Sequence, residues 1–155
     1  MESTDTFDAL RRGGFRLTAP RLRAAELFAD AGRWMSPQEL HREAAGQGVD
    51  VGLTTVYRLL EAMTAVGLAR RFAQDGRAYR YVYCHPSHHH HLICRSCGRV
   101  EDVDECLVKA PRHGTFHVES HVLDFFGLCD QCYQKMPEPG RHSSGHHGSG
   151  KGEPS

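Results

Sequence analysis

Two cysteine pairs in the second half of the chain have the spacing of a metal site. They are Cys94-x-x-Cys97 and Cys129-x-x-Cys132. A tight turn can direct both thiolates of such a pair at one ion, and four thiolates make the tetrahedral set that zinc occupies readily. The intervening residues 98–128 outnumber the roughly 15–20 residues of a zinc ribbon. We therefore predict one structural zinc, bound by cysteine pairs at opposite ends of a small folded unit.

Disulfide bonds are the alternative use of the same four cysteines. Disulfides persist in oxidising compartments, and export to such a compartment requires an apolar signal segment. The chain begins with a polar, acidic segment and contains no long apolar run. We therefore expect reduced cysteines, a cytoplasmic location and no association with a membrane.

Four consecutive histidines, His88–His91, stand before the first cysteine pair. In a β-strand, successive side chains point to opposite faces. If residues 88–94 form a strand, His88 and His90 lie on one face while His89 and His91 lie on the other. One strand can then contribute ligands to two different metal sites.

The distribution of residue types divides the chain into two domains and a tail. Residues 1–83 contain no cysteine and a single histidine, and the 155-residue length suits two compact domains. We predict an N-terminal domain at 1–83, with a wing and hinge near 68–86, and a metal-binding domain at 87–136. The Gly-, Ser- and His-rich residues 137–155 are expected to be a disordered tail.

The first domain has the pattern of a winged helix in an α+β fold. Thr18 precedes one predicted helix, and a capping box at Ser36 begins the next. Residues 54–67 carry apolar side chains at helical spacing and end at a glycine. Alternating residues 68–83, with a turn in the middle, predict a two-stranded hairpin.

The third predicted helix has a free face suited to DNA. Hydroxyl, aromatic and guanidinium groups near its start can reach phosphates and base edges, and a separate arginine cluster carries no acidic residue between positions 9 and 25. Because the formal net charge is zero, DNA binding must rest on such local patches. A solvated helix face is the alternative. The candidate DNA contacts are Arg16, Thr54, Thr55, Tyr57 and Arg58.

Four motifs together resemble the ferric uptake regulator family of bacterial metal-responsive repressors. They are Gly52-Leu-Thr-Thr-Val-Tyr-Arg-Leu-Leu, His88-His-His-His-Leu-Ile-Cys-Arg-Ser-Cys-Gly, Ser120-His121 and Phe126-Gly-Leu-Cys-Asp-Gln-Cys. The resemblance runs from about Phe15 to Tyr133. It implies a homodimer with an N-terminal winged-helix DNA-binding domain, a hinge and a C-terminal α/β dimerisation domain that binds metal. It also implies a repressor of metal-uptake genes that binds a palindromic duplex operator. An enzyme is not expected, because the sequence has no catalytic zinc motif.

The resemblance also implies two metal sites besides the structural zinc. It assigns the regulatory hinge site to Cys84, His89 and His91. It assigns the second site to His88, His90, His121 and an acidic residue, which is one of Glu101, Asp102, Asp104 and Glu105, with Glu101 as the first candidate. The segment 100–121 is shorter than the matching segment of typical relatives. We therefore expect the helix that relatives carry there to be displaced.

The donor types favour zinc as the regulatory metal. A thiolate with two imidazoles suits zinc better than manganese or iron(II), and Trp34 stands where iron-type relatives tend to have a histidine ligand. Arg70, however, replaces an aspartate ligand that zinc-type relatives often have. Water, His85 or Asp75 is then the fourth ligand of the hinge site.

Several alternatives remain open beside a zinc-responsive repressor. A manganese- or iron-responsive member, or a peroxide sensor, belongs to the same family, and a zinc storage or delivery protein is a more remote alternative. A zinc hydrolase would need a motif such as His-Glu-x-x-His, which the sequence lacks.

Cys106 is interpreted as a small buried hydrophobe, with a metal ligand or a redox-sensitive thiol as the alternatives. Residues 122–126 are predicted to form a strand that pairs with its copy in a dimer.

Overall fold

The computed structural model has an α+β fold, which confirms the predicted fold class. Predictions for Asp75 and for the tail beyond Pro137 lie outside the described residues. The structure describes residues 7–74, 76, 78–106, 108–109, 111 and 114–137.

Helices dominate the first half of the chain. They are α1 (Asp8–Arg12), α2 (Ala19–Asp30), α3 (Pro37–Gly46) and α4 (Leu53–Ala65). The predicted capping box begins α3: the Glu39 backbone N–H donates to Ser36 Oγ at 3.2 Å, and Ser36 N–H donates to Glu39 Oε2 at 2.8 Å. Thr18 occupies the N-cap of α2 without a side-chain capping bond. Helix α1 was not predicted.

The helical core follows the predicted apolar stripes. In α4, Val56, Leu59, Leu60 and Met63 are fully buried. They pack with α2 and α3 in one hydrophobic cluster that also includes Phe28. The opposite side of α4 is therefore left for other contacts.

Two strands complete the winged helix. Strand β1 (Ala69–Gln74) pairs antiparallel with β2 (Ala78–Tyr83), with Ala69 opposite Tyr83. Leu68, just before β1, donates its N–H to the Met63 carbonyl at 2.8 Å. The hairpin is thus tied directly to the end of α4.

A second sheet of three strands carries the metal-binding residues. Strand β3 (His90–Cys94) lies between β4 (Val100–Val103), which is antiparallel to it, and β5 (Asp124–Gly127), which is parallel. Helix α5 (Asp130–Gln134) follows. The described residues between β4 and β5 contain no helix. Strand β5 pairs with β3 of its own chain, which leaves its other edge for the predicted contact with a second copy.

The loop before α3 packs against the cysteine turn of the second sheet. Trp34 donates its backbone N–H to the Gly98 carbonyl at 2.9 Å, and its side chain clusters with Val82 and Ile93. Gly98 has a φ of +79°, and a Cβ at this position would lie 2.6 Å from the Trp34 ring. Only glycine fits this contact without displacement.

Candidate metal centres and DNA-binding face

The four paired cysteines come together at one end of the second sheet. Their sulfur atoms all lie within 4.8 Å of one another, and Cys97 and Cys129 are 3.7 Å apart. All six cysteines of the chain are free thiols. A tetrahedral set of four sulfurs is the donor set of a structural zinc and leaves no open position. The residues that bring them together are Cys94, Cys97, Cys129 and Cys132.

Backbone amides prepare one of these sulfurs to ionise. Burial opposes ionisation of Cys94, but hydrogen bonds from the amides of Cys97, Cys129 and Ser96 outweigh it and lower the thiol pKa to about 6. At Cys97 the Arg99 amide favours the thiolate, yet contacts with the neighbouring thiols raise the pKa to about 11. The set therefore holds a thiolate already at neutral pH, as a metal ligand requires.

A second group lies where β2 meets β3. The ligand atoms of Cys84, His89 and His91 lie within 4.8 Å of one another. The two Nε2 atoms of His89 and His91 are 3.1 Å apart, and Cys84 Sγ is 3.8 Å from His91 Nε2. Cys84 and His91 are buried. The structure thus brings together the three residues predicted for the hinge site.

A carboxylate fixes the orientation of His91. Asp124 Oδ1 lies 2.9 Å from His91 Nδ1, and its side chain is only 8% exposed. Arg70 donates to both Asp124 oxygens, at 3.0 and 2.7 Å. Metal-binding histidines commonly donate their second ring N–H to a carboxylate in this way. His91 Nε2 is consequently left facing Cys84 and His89.

The surroundings of this group keep the thiol neutral until it meets a cation. Burial raises the pKa of Cys84 to about 12, with Arg70 lowering it and Asp124 raising it. A bound ion must therefore displace the thiol proton. Two further side chains lie beside this group. Asp102 Oδ1 is 3.8 Å from His91 Nε2. His85, one of the predicted fourth ligands, stacks on the His89 ring with the ring centroids 3.9 Å apart.

A third group lies on the opposite face of β3. The rings of His88 and His90 are 4.8 Å apart, and the His121 ring is 4.8 Å from His88 and 5.3 Å from His90. Burial lowers the pKa of His90, and neighbouring His88 and His121 lower it further. These surroundings favour the neutral ring, which has a lone pair for a cation. The histidine run is divided alternately between two groups as predicted, although β3 itself begins only at His90.

The acidic residue predicted for this third group is not in it. Glu101 lies on β4 opposite Leu92 of β3, nearer the cysteine end of the sheet. Its carboxylate pairs with Arg99 at 3.0 Å. Cys106 is there instead, with Sγ 3.2 Å from His121 Nε2. Cys106 is exposed, so its interpretation as a buried hydrophobe was wrong.

The predicted DNA-contacting side chains are accessible on one side of α4. Thr54, Tyr57 and Arg58 are exposed and Thr55 is half-buried. The Tyr57 hydroxyl accepts a 2.8 Å hydrogen bond from Gln38 Nε2, which holds the ring between α3 and α4. Arg16 is exposed, and its carbonyl accepts from Arg21 Nη1 at 2.8 Å. The exposed members of this set are accessible to phosphates or base edges.

Two residues of these sites were missed by the sequence analysis. Asp124 reaches His91 only because β5 is parallel to β3 in a particular register, and no local pattern reports such a register. Gln38 contacts Tyr57 across two helices.

None of the helices in the described part of the chain is long and apolar enough to cross a membrane.

Comparison with known proteins gives consistent matches. A sequence model of the Ferric uptake regulator family matches residues 12–125. The zinc uptake regulation protein of Mycobacterium tuberculosis is 38% identical over 125 residues, covering 77% of this chain and 95% of that protein. The ferric uptake regulation protein of Legionella pneumophila is 32% identical over 129 residues, covering 79% and 95%. The crystal structure of the Vibrio cholerae ferric uptake regulator superimposes with a TM-score of 0.56 at 26% identity, covering 79% of this chain and 98% of that one.

Proposed function

Since this chain belongs to the ferric uptake regulator family of metal-responsive, DNA-binding transcription regulators, we propose that it is a zinc-responsive repressor of metal-uptake genes. The observation that carries the proposal is the group formed by Cys84, His89 and His91. One thiolate with two imidazoles is a donor set that zinc accepts more readily than manganese or iron(II). The 38% identity to a zinc uptake regulation protein supports the same metal.

The hinge group is placed to connect metal binding with the DNA-binding face. Cys84 directly follows β2 of the winged helix, whereas His91 lies in β3 of the second sheet. Zinc held by Cys84, His89 and His91 would supply a cross-link between these two parts of the chain. Asp124 keeps His91 in the orientation that the cross-link needs.

Two backbone hydrogen bonds continue this connection to the DNA-binding helix. Cys84 donates its N–H to the Leu68 carbonyl at 3.0 Å, and Leu68 donates its N–H to Met63 of α4 at 2.8 Å. A constraint on Cys84 is therefore passed through a short, hydrogen-bonded path to α4. In a dimer, this constraint fixes the spacing of two α4 helices to that of a palindromic operator.

Separate roles follow for the other residues. Thr54, Thr55, Tyr57 and Arg58 contact the major groove from α4, and Arg16 contacts a phosphate or the minor groove. Cys94, Cys97, Cys129 and Cys132 hold a zinc that stabilises the fold and does not exchange during regulation.

The test is metal-dependent binding to DNA. The zinc-loaded protein selects its operator from a pool of random duplexes, and fluorescence anisotropy then follows binding as free zinc, manganese or iron(II) is raised. We expect zinc to act at the lowest free concentration. We expect Cys84→Ser and His89→Ala to abolish metal-dependent binding while light scattering still shows a dimer.

His117→Ala is the matched control, because His117 is exposed and lies outside the three metal groups. It should bind DNA like the wild type. Full-affinity operator binding by Cys84→Ser without added metal would refute the hinge site as the sensor. A response to manganese or iron(II) at lower free concentrations than to zinc would refute the zinc assignment.

A further inference from the structure

We propose that Cys106 completes a zinc site in the third group, where a thiolate takes the place of the predicted carboxylate and sets the metal preference. The other ligands are His88, His90 and His121. This site shares no ligand with the hinge group, so it stands or fails independently of the proposed sensor.

The positions of the four side chains carry the proposal. Their ligand atoms all lie within 4.8 Å of one another. Cys106 Sγ is 3.2 Å from His121 Nε2, and the His88 ring is 4.8 Å from both His90 and His121. Three imidazoles and one thiolate from the protein make a complete tetrahedral set for zinc.

His90 gives an independent reason to expect a cation here. Its side chain is fully buried, and neither ring nitrogen has a hydrogen-bond partner in the described part of the chain. Buried polar atoms in folded proteins are nearly always satisfied. Coordination of one nitrogen by an ion held between His88 and His121 would satisfy it.

The donor chemistry points to zinc and away from harder cations. Carboxylate oxygen suits manganese and magnesium, whereas thiolate and imidazole suit zinc. Glu101 is engaged with Arg99 at the other end of β4, so the soft donor is the one within reach. Cys106 thereby excludes manganese from a position where a carboxylate would accept it.

The cysteine content of the chain makes this site accessible to spectroscopy. Of six cysteines, four belong to the structural group, and Cys84 and Cys106 each join a separate group of histidines. With zinc retained in the structural group, any thiolate bound to added cobalt(II) must come from one of these two residues. The His-rich residues 138–155 contain no cysteine and cannot give a thiolate signal.

Cobalt(II) titration of the full chain tests the assignment. Elemental analysis first confirms one zinc per chain, and the thiolate-to-cobalt charge-transfer absorption is then recorded for four proteins. We expect the wild type to show two thiolate contributions, and Cys84→Ser and Cys106→Ser to show one each. The double variant should show none. Loss of the whole absorption in Cys84→Ser alone would overturn the proposal.

Zinc affinity and metal preference provide a second readout. Loss of an outer-shell partner alone costs about 10–100-fold in metal affinity, so removal of the Cys106 ligand should weaken zinc at this site by at least roughly tenfold. Cys106→Asp should restore binding with a shift of preference toward manganese. Because Cys106 is exposed, neither substitution disturbs the core. Equal zinc affinity in wild type and Cys106→Ser would refute the site.

Discussion

Asp124 is the side chain that orients His91 within the hinge group. Its carboxylate contacts Arg70 on one side and His91 on the other, and the side chain is almost completely buried. The imidazole of His91 therefore has one nitrogen fixed and the other free for the group it forms with Cys84 and His89. Asp124 acts through His91 and is a positioning residue.

Replacement of Asp124 by asparagine should weaken zinc at the hinge without removing a ligand. The amide keeps the shape of the side chain but loses the charge that stabilises the Nδ1–H of His91 and pairs with Arg70. We expect zinc affinity of the hinge site to fall about 10–100-fold, measured by competition with a chelating dye. Asp50→Asn, the same change at an exposed carboxylate, should have no effect. Unchanged affinity in Asp124→Asn would show that His91 does not need this partner.

Residue types, together with the family resemblance, revealed most of the ligands but not their supporting partners. The cysteine pairs and the histidine run are visible because their spacing is local. The exchange of Glu101 for Cys106 could not be anticipated, since Cys106 lies in an irregular segment without a periodic pattern. Its position depends on how that segment folds back to His121.

At the scale of elements, β3 supplies ligands to all three metal groups. Alternation divides its histidines between two faces, and its last residue, Cys94, belongs to the structural group. The turn after β3 then contacts Trp34 of the winged helix through Gly98. The two halves of the chain are therefore joined at a backbone position that tolerates no side chain.

Gly98→Ala should destabilise the zinc-loaded protein. The positive φ and the 2.6 Å approach to Trp34 both oppose a Cβ, and such backbone strain costs about 1–3 kcal/mol. Urea denaturation followed by Trp34 fluorescence measures the change, because this is the only tryptophan of the chain. Gly46→Ala is the control, since Gly46 lies at the end of α3 with no atom near its Cβ position. A variant as stable as the wild type would mean that the Trp34 ring moves aside with little cost in free energy.

Helices were easier to predict than strand partners, for a physical reason. Capping boxes and apolar stripes are recognisable within a few consecutive residues, as at Ser36 and along α4. The parallel pairing of β5 with β3 joins residues more than thirty positions apart, His91 with Asp124, and leaves no mark in either segment. The position of Arg70 beside Asp124 follows from the same pairing.

At the scale of the whole molecule, one face of the second sheet remains apolar and open. Leu92 and Phe125 lie opposite each other on β3 and β5 and are 41% and 39% exposed. Regulators of this family bind DNA as dimers. Apolar side chains beside a free strand edge are suited to burial against a second copy.

Phe125→Glu should therefore convert the dimer to a monomer. A charge in an apolar interface carries a large desolvation cost, while in the isolated chain the side chain is half-exposed and tolerates the change. Analytical ultracentrifugation measures the dissociation, and operator binding should be lost with it. Tyr79→Glu, at a 52% exposed aromatic of the wing, should remain dimeric. A dimeric Phe125→Glu would place the interface on another face.

The contact between Trp34 and Gly98 has a consequence for the order in which a newly made chain can mature. The winged helix leaves the ribosome first, but the turn against which its Trp34 packs is completed only later. The last two sulfurs of that turn's metal group, Cys129 and Cys132, come near the end of the described chain. During its synthesis the DNA-binding half is therefore finished before the surface on which it docks exists.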